Sequence, residues 1–209
     1  MRLAGLYLRS RRVGRAFLTL GISAVVAWAL TWFLVSQTPY GVRHGGLTMM
    51  LVFGALAAAC VIGVSAHSPF GDAERAVARP LSPLRFSQLA GSILWAALAL
   101  CAALLTFDLE GARPEYPLYV LLRNLAFLSG IALVTARIAG ARLSWIAPFV
   151  FALAYLTFMG SGSDVLAAWA NRSYHGLHGP SWLAALAILA IGLGLVCYFG
   201  TRERVGEAG

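Results

Sequence analysis

Six long apolar runs divide this chain, and they constrain its fold more than any motif does. They cover residues 16–35, 45–66, 88–107, 116–135, 143–160 and 182–200. A helix that rises about 1.5 Å per residue needs about 20 residues to cross about 30 Å of hydrocarbon. With 60% hydrophobic residues, 11% charged residues and a mean hydropathy of +0.78, the chain has too little polar surface for a water-soluble globule. We therefore expect an all-α integral membrane protein, with a single transmembrane domain of six helices over residues 1–209.

The basic residues predict how these helices are oriented. All sixteen are arginines, and twelve lie in residues 1–15, in residues 68–86, beside the connection between the fourth and fifth runs, and after the sixth run. Only Arg43, Arg113 and Arg172 lie in the opposite connections. Because cytoplasmic connections carry an excess of basic residues, we expect both termini in the cytoplasm of a bacterial cell, with the protein in its plasma membrane. The net charge of +8 then reports orientation and does not indicate nucleic-acid binding.

Two further segments are expected to lie along the membrane surface. Residues 1–15 combine five arginines with apolar residues at helical spacing, which is typical of a helix in the cytoplasmic interface. Residues 161–181 combine apolar and aromatic residues with small ones, which predicts a re-entrant or interfacial segment on the outer side.

The longest polar stretch, residues 68–86, separates the second and third runs. It contains three prolines and is far longer than a connection between two spans requires. Asp72 is suited to the N-terminal end of a short helix, Arg75 and Arg79 fall towards its C-terminal end, and Pro80 ends it. A short rigid helix on the cytoplasmic surface is suited to docking a soluble partner, and an ordinary solvated loop is the alternative of equal weight.

The stretch ERAVARPLSPLRFSQLAGSILWAALAL resembles the permease subunits of ABC-2-type ABC transporters, of the compact actinobacterial kind. Glu74 matches the acidic position of that family, and Pro80, Leu81 and Ser82 match the segment after it. The resemblance implies that residues 68–86 carry a coupling helix that sits in a cleft of a separate ATP-binding subunit. The partner-binding residues that it implies are Asp72, Glu74, Arg75, Arg79, Pro80, Leu81 and Ser82. It also implies a dimer with a second copy or a sister permease, surrounded by membrane lipids.

The source of energy can be argued from the residues themselves. A Walker A motif requires a lysine, and the chain contains none, so it cannot hydrolyse ATP as P-loop proteins do. Coupling to a proton or sodium gradient requires ionisable oxygen ligands within the spans, and every acid of this chain lies outside the six apolar runs or at their edges. We therefore expect a non-enzymatic transport subunit without a cofactor of its own, with ATP and Mg²⁺ bound by the partner ATPase. The apolar spans predict an amphiphilic or hydrophobic cargo.

Arg123 is the one charged residue well inside an expected span, about 10 Å from its outer end. With Asn124 it is a candidate for the substrate path, where it would meet an anionic headgroup. The alternative that the sequence favours is that Arg123 snorkels outward or pairs with Asp108, Glu110 or Glu115.

The rival hypothesis is a membrane-embedded haem or metal redox protein, or its assembly factor, and a non-transporting accessory subunit is a third. The residues available to bind the metal or haem are His44, His67, His175 and His178. No carboxylate or cysteine joins them at a ligand spacing, so no metal site is expected. Cys60, Cys101 and Cys197 lie within apolar runs, which predicts free thiols and no disulfide.

Overall fold

The computed structural model describes residues 13–37, 50–67, 82–107, 115–159 and 179–201, and these ranges are helical with short connections and no strand. Helix α1 is Val13–Gln37, and α2 is Ala55–Ser65, preceded by the π-helical turn Met50–Gly54. The next two helices are α3, Ser82–Leu105, and α4, Glu115–Ala139. A 3-10 turn at Ala141–Leu143 leads into α5, Ile146–Met159, and α6 is Gly179–Phe199.

A helix therefore lies at each of the six expected positions, and the prediction of an all-helical protein is confirmed for the described ranges. Four helices, α1, α3, α4 and α6, are long and apolar enough to cross a membrane. The other two apolar helices are shorter, at Met50–Ser65 and Ala141–Ala154. The chain is thus a membrane protein by the length and composition of four helices, while six crossings stay a prediction.

Some boundaries differ from those expected. Helix α3 begins at Ser82, inside the stretch 68–86 that was expected to be a loop. The reason is local. A serine followed by Pro83 is a favourable start for a helix, because the proline nitrogen has no N–H that the first turn would leave unsatisfied. Residues 13–15 of the expected interfacial helix are the start of α1, and the rest of it lies outside the described residues. Most of the expected coupling helix and most of the outer segment 161–181 also lie outside them.

The odd-numbered helices α1 and α3 run parallel to each other. The ring centroids of Phe17, near the start of α1, and Trp95, in the middle of α3, are 6.1 Å apart in an edge-to-face arrangement. Near their C-terminal ends, Trp28 Nε1 donates a hydrogen bond of 2.7 Å to Thr106 Oγ1. The two contacts follow the same order along both helices. The aromatic pair and the indole hydrogen bond therefore show that α1 and α3 are parallel.

Helices α2 and α3 are antiparallel to each other. A side chain at Gly54, near the start of α2, would meet Leu100 near the end of α3, at 3.1 Å. At the opposite end, Gln88 Nε2 donates to the main-chain oxygen of Ser65 over 3.4 Å. The bundle therefore alternates in direction between these two helices, as successive membrane spans do.

Helix α4 is the centre of the bundle. Its apolar segment is 56% buried inside the protein, compared with 17% for that of α1 and 22% for that of α6. Small residues allow this close packing on two sides, because Ala132 of α4 faces Gly63 of α2 and Gly130 of α4 faces α6. The exposed large apolar residues of α1, α5 and α6 are consistent with surfaces that contact lipid tails.

Candidate functional site

Arg123 lies inside the bundle, near the N-terminal end of α4. Its side chain is only 3% exposed. Nη1 donates to Ser181 Oγ over 3.4 Å, and Nη2 donates to Asn124 Oδ1 over 3.2 Å. The guanidinium therefore reaches towards the start of α6, at the end of the bundle where α4 also begins, which is the direction that the snorkelling alternative expects. Snorkelling and the ion pair both stay predictions, because the side chains of Asp108, Glu110 and Glu115 are outside the described part of the chain.

Asn124 extends the same contacts to a third helix. Its Nδ2 donates to the main-chain oxygen of Leu51 over 3.3 Å, and the residue is 9% exposed. Leu51 belongs to the π-helical turn before α2. Such turns are rare and are found at functional sites more often than ordinary helix is. Arg123 and Asn124, the two residues predicted for the substrate path, thus tie the N-terminal ends of α2, α4 and α6 together, and this end is called the outer end below.

The contacts of α4 with α2 and α6 establish that these three helices are parallel. Asn124 bonds to Leu51, and eight residues further along α4, Ala132 faces Gly63 of α2. Against α6, the order is the same, from Ser181 beside Arg123 to Gly192 beside Gly130. The N-termini of the three helices therefore share the outer end, where their positive dipole ends favour acceptor and anionic groups.

The middle of the α4–α6 contact is a direct approach of two backbones. A side-chain carbon at Gly192 would lie 2.7 Å from the main-chain oxygen of Gly130. A side-chain carbon at Gly130 would lie 2.7 Å from the carbonyl carbon of Ile188 and from the nitrogen of Leu189. No residue larger than glycine fits at either position without separating the helices, so the two glycines set the distance between α4 and α6.

A second arginine of α4 contacts α6 at the other end. The guanidinium carbon of Arg137 lies 5.6 Å from the centroid of the Phe199 ring, which is a cation–π geometry. Arg123, Gly130 and Arg137 are spaced at seven-residue intervals. Seven residues are close to two helical turns, so the three positions share one face of α4, the face towards α6.

Arg123 could be singled out from the sequence, but the seven-residue pattern was not predicted. Arg137 was expected in the cytoplasmic connection because it lies just beyond the expected fourth span, and Gly130 was not among the predicted site residues. The signal that would have found the pattern is the exact heptad spacing of two arginines around a glycine. Its partner face on α6 has no comparable signal, because it is made of Ser181, Gly192 and an exposed aromatic residue.

At the opposite end, called the loop end below, the residues that flank the stretch 68–81 lie close to one another. Gln88 of α3 bonds to Ser65 at the end of α2, as described above. Gly200 follows α6 with a positive φ of 70°, and a side chain there would meet Arg85 Nη1 at 3.2 Å. The first two turns of α3 are therefore next to the C-terminal ends of both α2 and α6. Of the seven predicted partner-binding residues, the structure places only Ser82, half-buried at the start of α3.

Little of the metal or haem site of the rival hypothesis lies in the described part of the chain. His67 is exposed just after α2, and the other three histidines lie outside the described ranges. Within the part of the chain that the structure describes, no group of three or more His, Cys, Asp or Glu side chains could hold a metal ion. Cys60, Cys101 and Cys197 are free thiols.

Comparisons with known proteins found no relative, so the functional conclusion rests on the sequence and on the geometry of the described residues. A scan against protein-family models, a search of curated proteins and a search of solved structures each returned no match to this chain.

Proposed function

We propose that this protein is the transmembrane subunit of an ABC transporter, an exporter of an amphiphilic or hydrophobic substrate that is powered by a separate ATP-binding subunit. The observation that carries the proposal is the position of the first two turns of α3. They directly follow the polar stretch 68–81 and lie against the C-terminal ends of two other helices, with Gln88 bonded to Ser65 of α2 and Arg85 beside Gly200 after α6. A displacement applied to that stretch would therefore be passed to three helices at once.

The distribution of charge supports an external source of energy. The only acid among the described residues is Glu115, at the first position of α4. No carboxylate therefore lies in the interior of a described helix, where coupling to a proton or sodium gradient requires one. The chain also lacks the lysine of a P-loop. Mechanical work supplied by an ATPase through the stretch 68–81 is the remaining route that these residues support.

In this mechanism the chain works as part of a dimer, with a second copy or a sister permease, and two ATP-binding subunits dock on its cytoplasmic side. Asp72, Glu74, Arg75, Arg79 and the segment that begins at Pro80 form the docking surface. Closure of the ATP-binding subunits pushes this surface and tilts the helices between inward- and outward-open forms, a rigid-body change. Both chain termini lie on the same side as the ATPase, in the cytoplasm.

The experiment that tests the proposal measures ATP turnover. The chain is reconstituted in nanodiscs with each candidate ATP-binding subunit from the same genome, and the stimulation of ATP hydrolysis by the chain is recorded. We expect Glu74→Arg to lower the stimulation by about tenfold or more, because bringing like charges together in a docked interface costs several kcal/mol. Glu207→Arg is the matched control, with the same charge change in the C-terminal segment, and should leave the stimulation unchanged.

Two results would overturn the proposal. One is that no ATP-binding subunit is stimulated by the chain. The other is that Glu74→Arg and Glu207→Arg behave alike while both variants insert into the membrane as the unmodified chain does.

A further inference from the structure

We propose that the loop end of the bundle contains a binding site for a hydroxyl-bearing headgroup of the substrate, formed by Gln88, Ser144 and Thr201. The inference rests on the proposed function and deepens it, since it names the chemical class of the substrate and the end of the bundle that receives it. It is carried by buried polar atoms that have no hydrogen-bond partner among the described residues.

Three neutral side chains at the loop end carry these atoms. Gln88 is 4% exposed, Thr201 is 5% exposed, and Ser144 is fully buried. Gln88 Oε1, Ser144 Oγ and Thr201 Oγ1 each lack a hydrogen-bond partner within the described ranges. A fourth neutral group of this kind, Ser129 Oγ, lies in the middle of α4. Buried polar groups without a partner are destabilising and rare in folded proteins, so three at one end are explained by a ligand that supplies the missing hydrogen bonds.

The last turn of α2 lies beside two of these side chains. Gln88 of α3 donates to the main-chain oxygen of Ser65 through its nitrogen, so its oxygen is left for another group. Two residues before Ser65, a side-chain carbon at Gly63 would lie 2.6 Å from Ser144 Oγ. Gln88 and Ser144 therefore both flank the C-terminal end of α2.

The start of α3 joins the third side chain to the same site. Thr201 follows Gly200, and a side chain at Gly200 would meet Arg85 Nη1 at 3.2 Å. Arg85 and Gln88 are three residues apart on α3, so they share a face of that helix. The ends of α2 and α6, the start of α3 and the connection after α4 thus contribute to one polar region.

The buried amide at the outer end has no unused group. Asn124 Oδ1 accepts a hydrogen bond from Arg123, and its Nδ2 donates to the main-chain oxygen of Leu51. Gln88 differs because only its nitrogen is bonded. In the part of the chain that the structure describes, the neutral polar groups available to a ligand are therefore concentrated at the loop end.

The missing hydrogen bonds define the chemistry of the headgroup. Gln88 Oε1 only accepts, so the headgroup must carry a donor. The hydroxyl hydrogens of Ser144 and Thr201 need an acceptor. A carboxylate offers acceptors without a donor, and an ammonium group offers donors without an acceptor. A hydroxyl group is both donor and acceptor, so it satisfies all three side chains.

The three side chains are buried in this structure, so the loop end must open for the headgroup to enter. The start of α3, which carries Gln88, directly follows the stretch 68–81 that the proposed function assigns to ATPase docking. A displacement of this stretch would move Gln88 away from α2 and give the site access to the cytoplasm. A headgroup that bonds to the exposed groups binds the open form, so it shifts the population towards that form.

Lipids with similar chains and different headgroups test the chemistry. Monoolein carries hydroxyls, oleate a carboxylate and oleylamine an ammonium group. The purified chain in detergent micelles is titrated with each lipid at the same mole fractions, and Tm is measured. Because a ligand that binds the native state stabilises it, monoolein should raise Tm more than oleate or oleylamine does.

Two variants connect the effect to the site. Thr201→Val and Ser144→Ala each remove one hydroxyl without breaking a hydrogen bond of the described residues, so both are expected to fold. Each should raise the monoolein concentration that gives the half-maximal Tm shift by about two- to tenfold, the value of one hydrogen bond. Ser87→Ala is the matched control, because its exposed hydroxyl lies on α3 beside Gln88 and bonds only within its own helix.

Equal Tm shifts for the three lipids, or a monoolein shift that is unchanged in both variants, would overturn the site. The measurement uses the chain without an ATPase, so it is independent of the test of the proposed function. A hydroxyl-dependent shift without ATPase stimulation would retain the site and remove the proposed energy source. Stimulation without a hydroxyl-dependent shift would retain the proposed function and remove the site.

Discussion

Gly130→Ala is the substitution whose effect the structure determines most sharply. The new Cβ would lie 2.7 Å from the carbonyl carbon of Ile188 and the nitrogen of Leu189, and 2.8 Å from Ile188 Cγ2. Ordinary contacts of a Cβ begin at 3.4 Å. The two nearest opposing atoms are backbone and cannot rotate away, so α4 and α6 must separate by about 0.7 Å at this crossing. Overpacking of this kind costs about 1–3 kcal/mol of unfolding free energy.

Gly194→Ala is the matched control. Gly194 lies on α6, two residues beyond Gly192, and a side-chain carbon there has nothing within 4 Å. The same substitution at this position removes chain entropy from the unfolded state without a clash, and it should stabilise the protein by up to about 1 kcal/mol.

Thermal unfolding of the purified chain in detergent micelles measures the difference. For a chain of this size, 1 kcal/mol corresponds to about 2–4 °C in Tm, so Gly130→Ala should lower Tm by about 2–12 °C while Gly194→Ala leaves it unchanged or higher. Equal Tm values for the two variants would refute the close approach of α4 and α6 at this crossing.

Three other substitutions test individual contacts by the same unfolding assay. Trp28→Phe should lower the unfolding free energy by about 0.6 kcal/mol, because the indole hydrogen bond is lost. Adding Thr106→Val should cost little more, because both substitutions remove the same hydrogen bond, and fully additive effects would contradict this bond. Asn124→Ala should cost about 1–3 kcal/mol because it leaves buried groups of α2 and α4 without their amide partner, and a neutral result would contradict the network. Gly63→Ala would place a carbon 2.6 Å from Ser144 Oγ and should destabilise the protein by about 1–3 kcal/mol. Adding Ser144→Gly should restore part of this stability, and no recovery would show that the clash lies elsewhere.

How far the sequence predicts the site differs from residue to residue. Arg123 could be singled out without a structure, because a charge inside an apolar run is costly and stands out against its neighbours. Its contact with Ser181 could not, because the two residues are 58 positions apart and serines carry no signal that marks one as the acceptor. The position of Arg137 within a helix could not be predicted either. It depends on α4 continuing to Ala139, beyond the end of the expected span at residue 135.

The sequence by itself determined the class of this protein. The apolar runs require helices, because a chain in hydrocarbon must satisfy its main-chain hydrogen bonds within each segment, and a helix lies within each of the six runs in the described part of the chain. Only the tertiary structure decided which helices pair. The choice of α6 as the close partner of α4 depends on two glycines, Gly130 and Gly192, at which an added side-chain carbon would lie 2.7 Å from the opposing main chain. In a chain rich in alanine, glycine and leucine, hydrophobicity is nearly the same on every face, so partners are selected by shape and by a few polar groups.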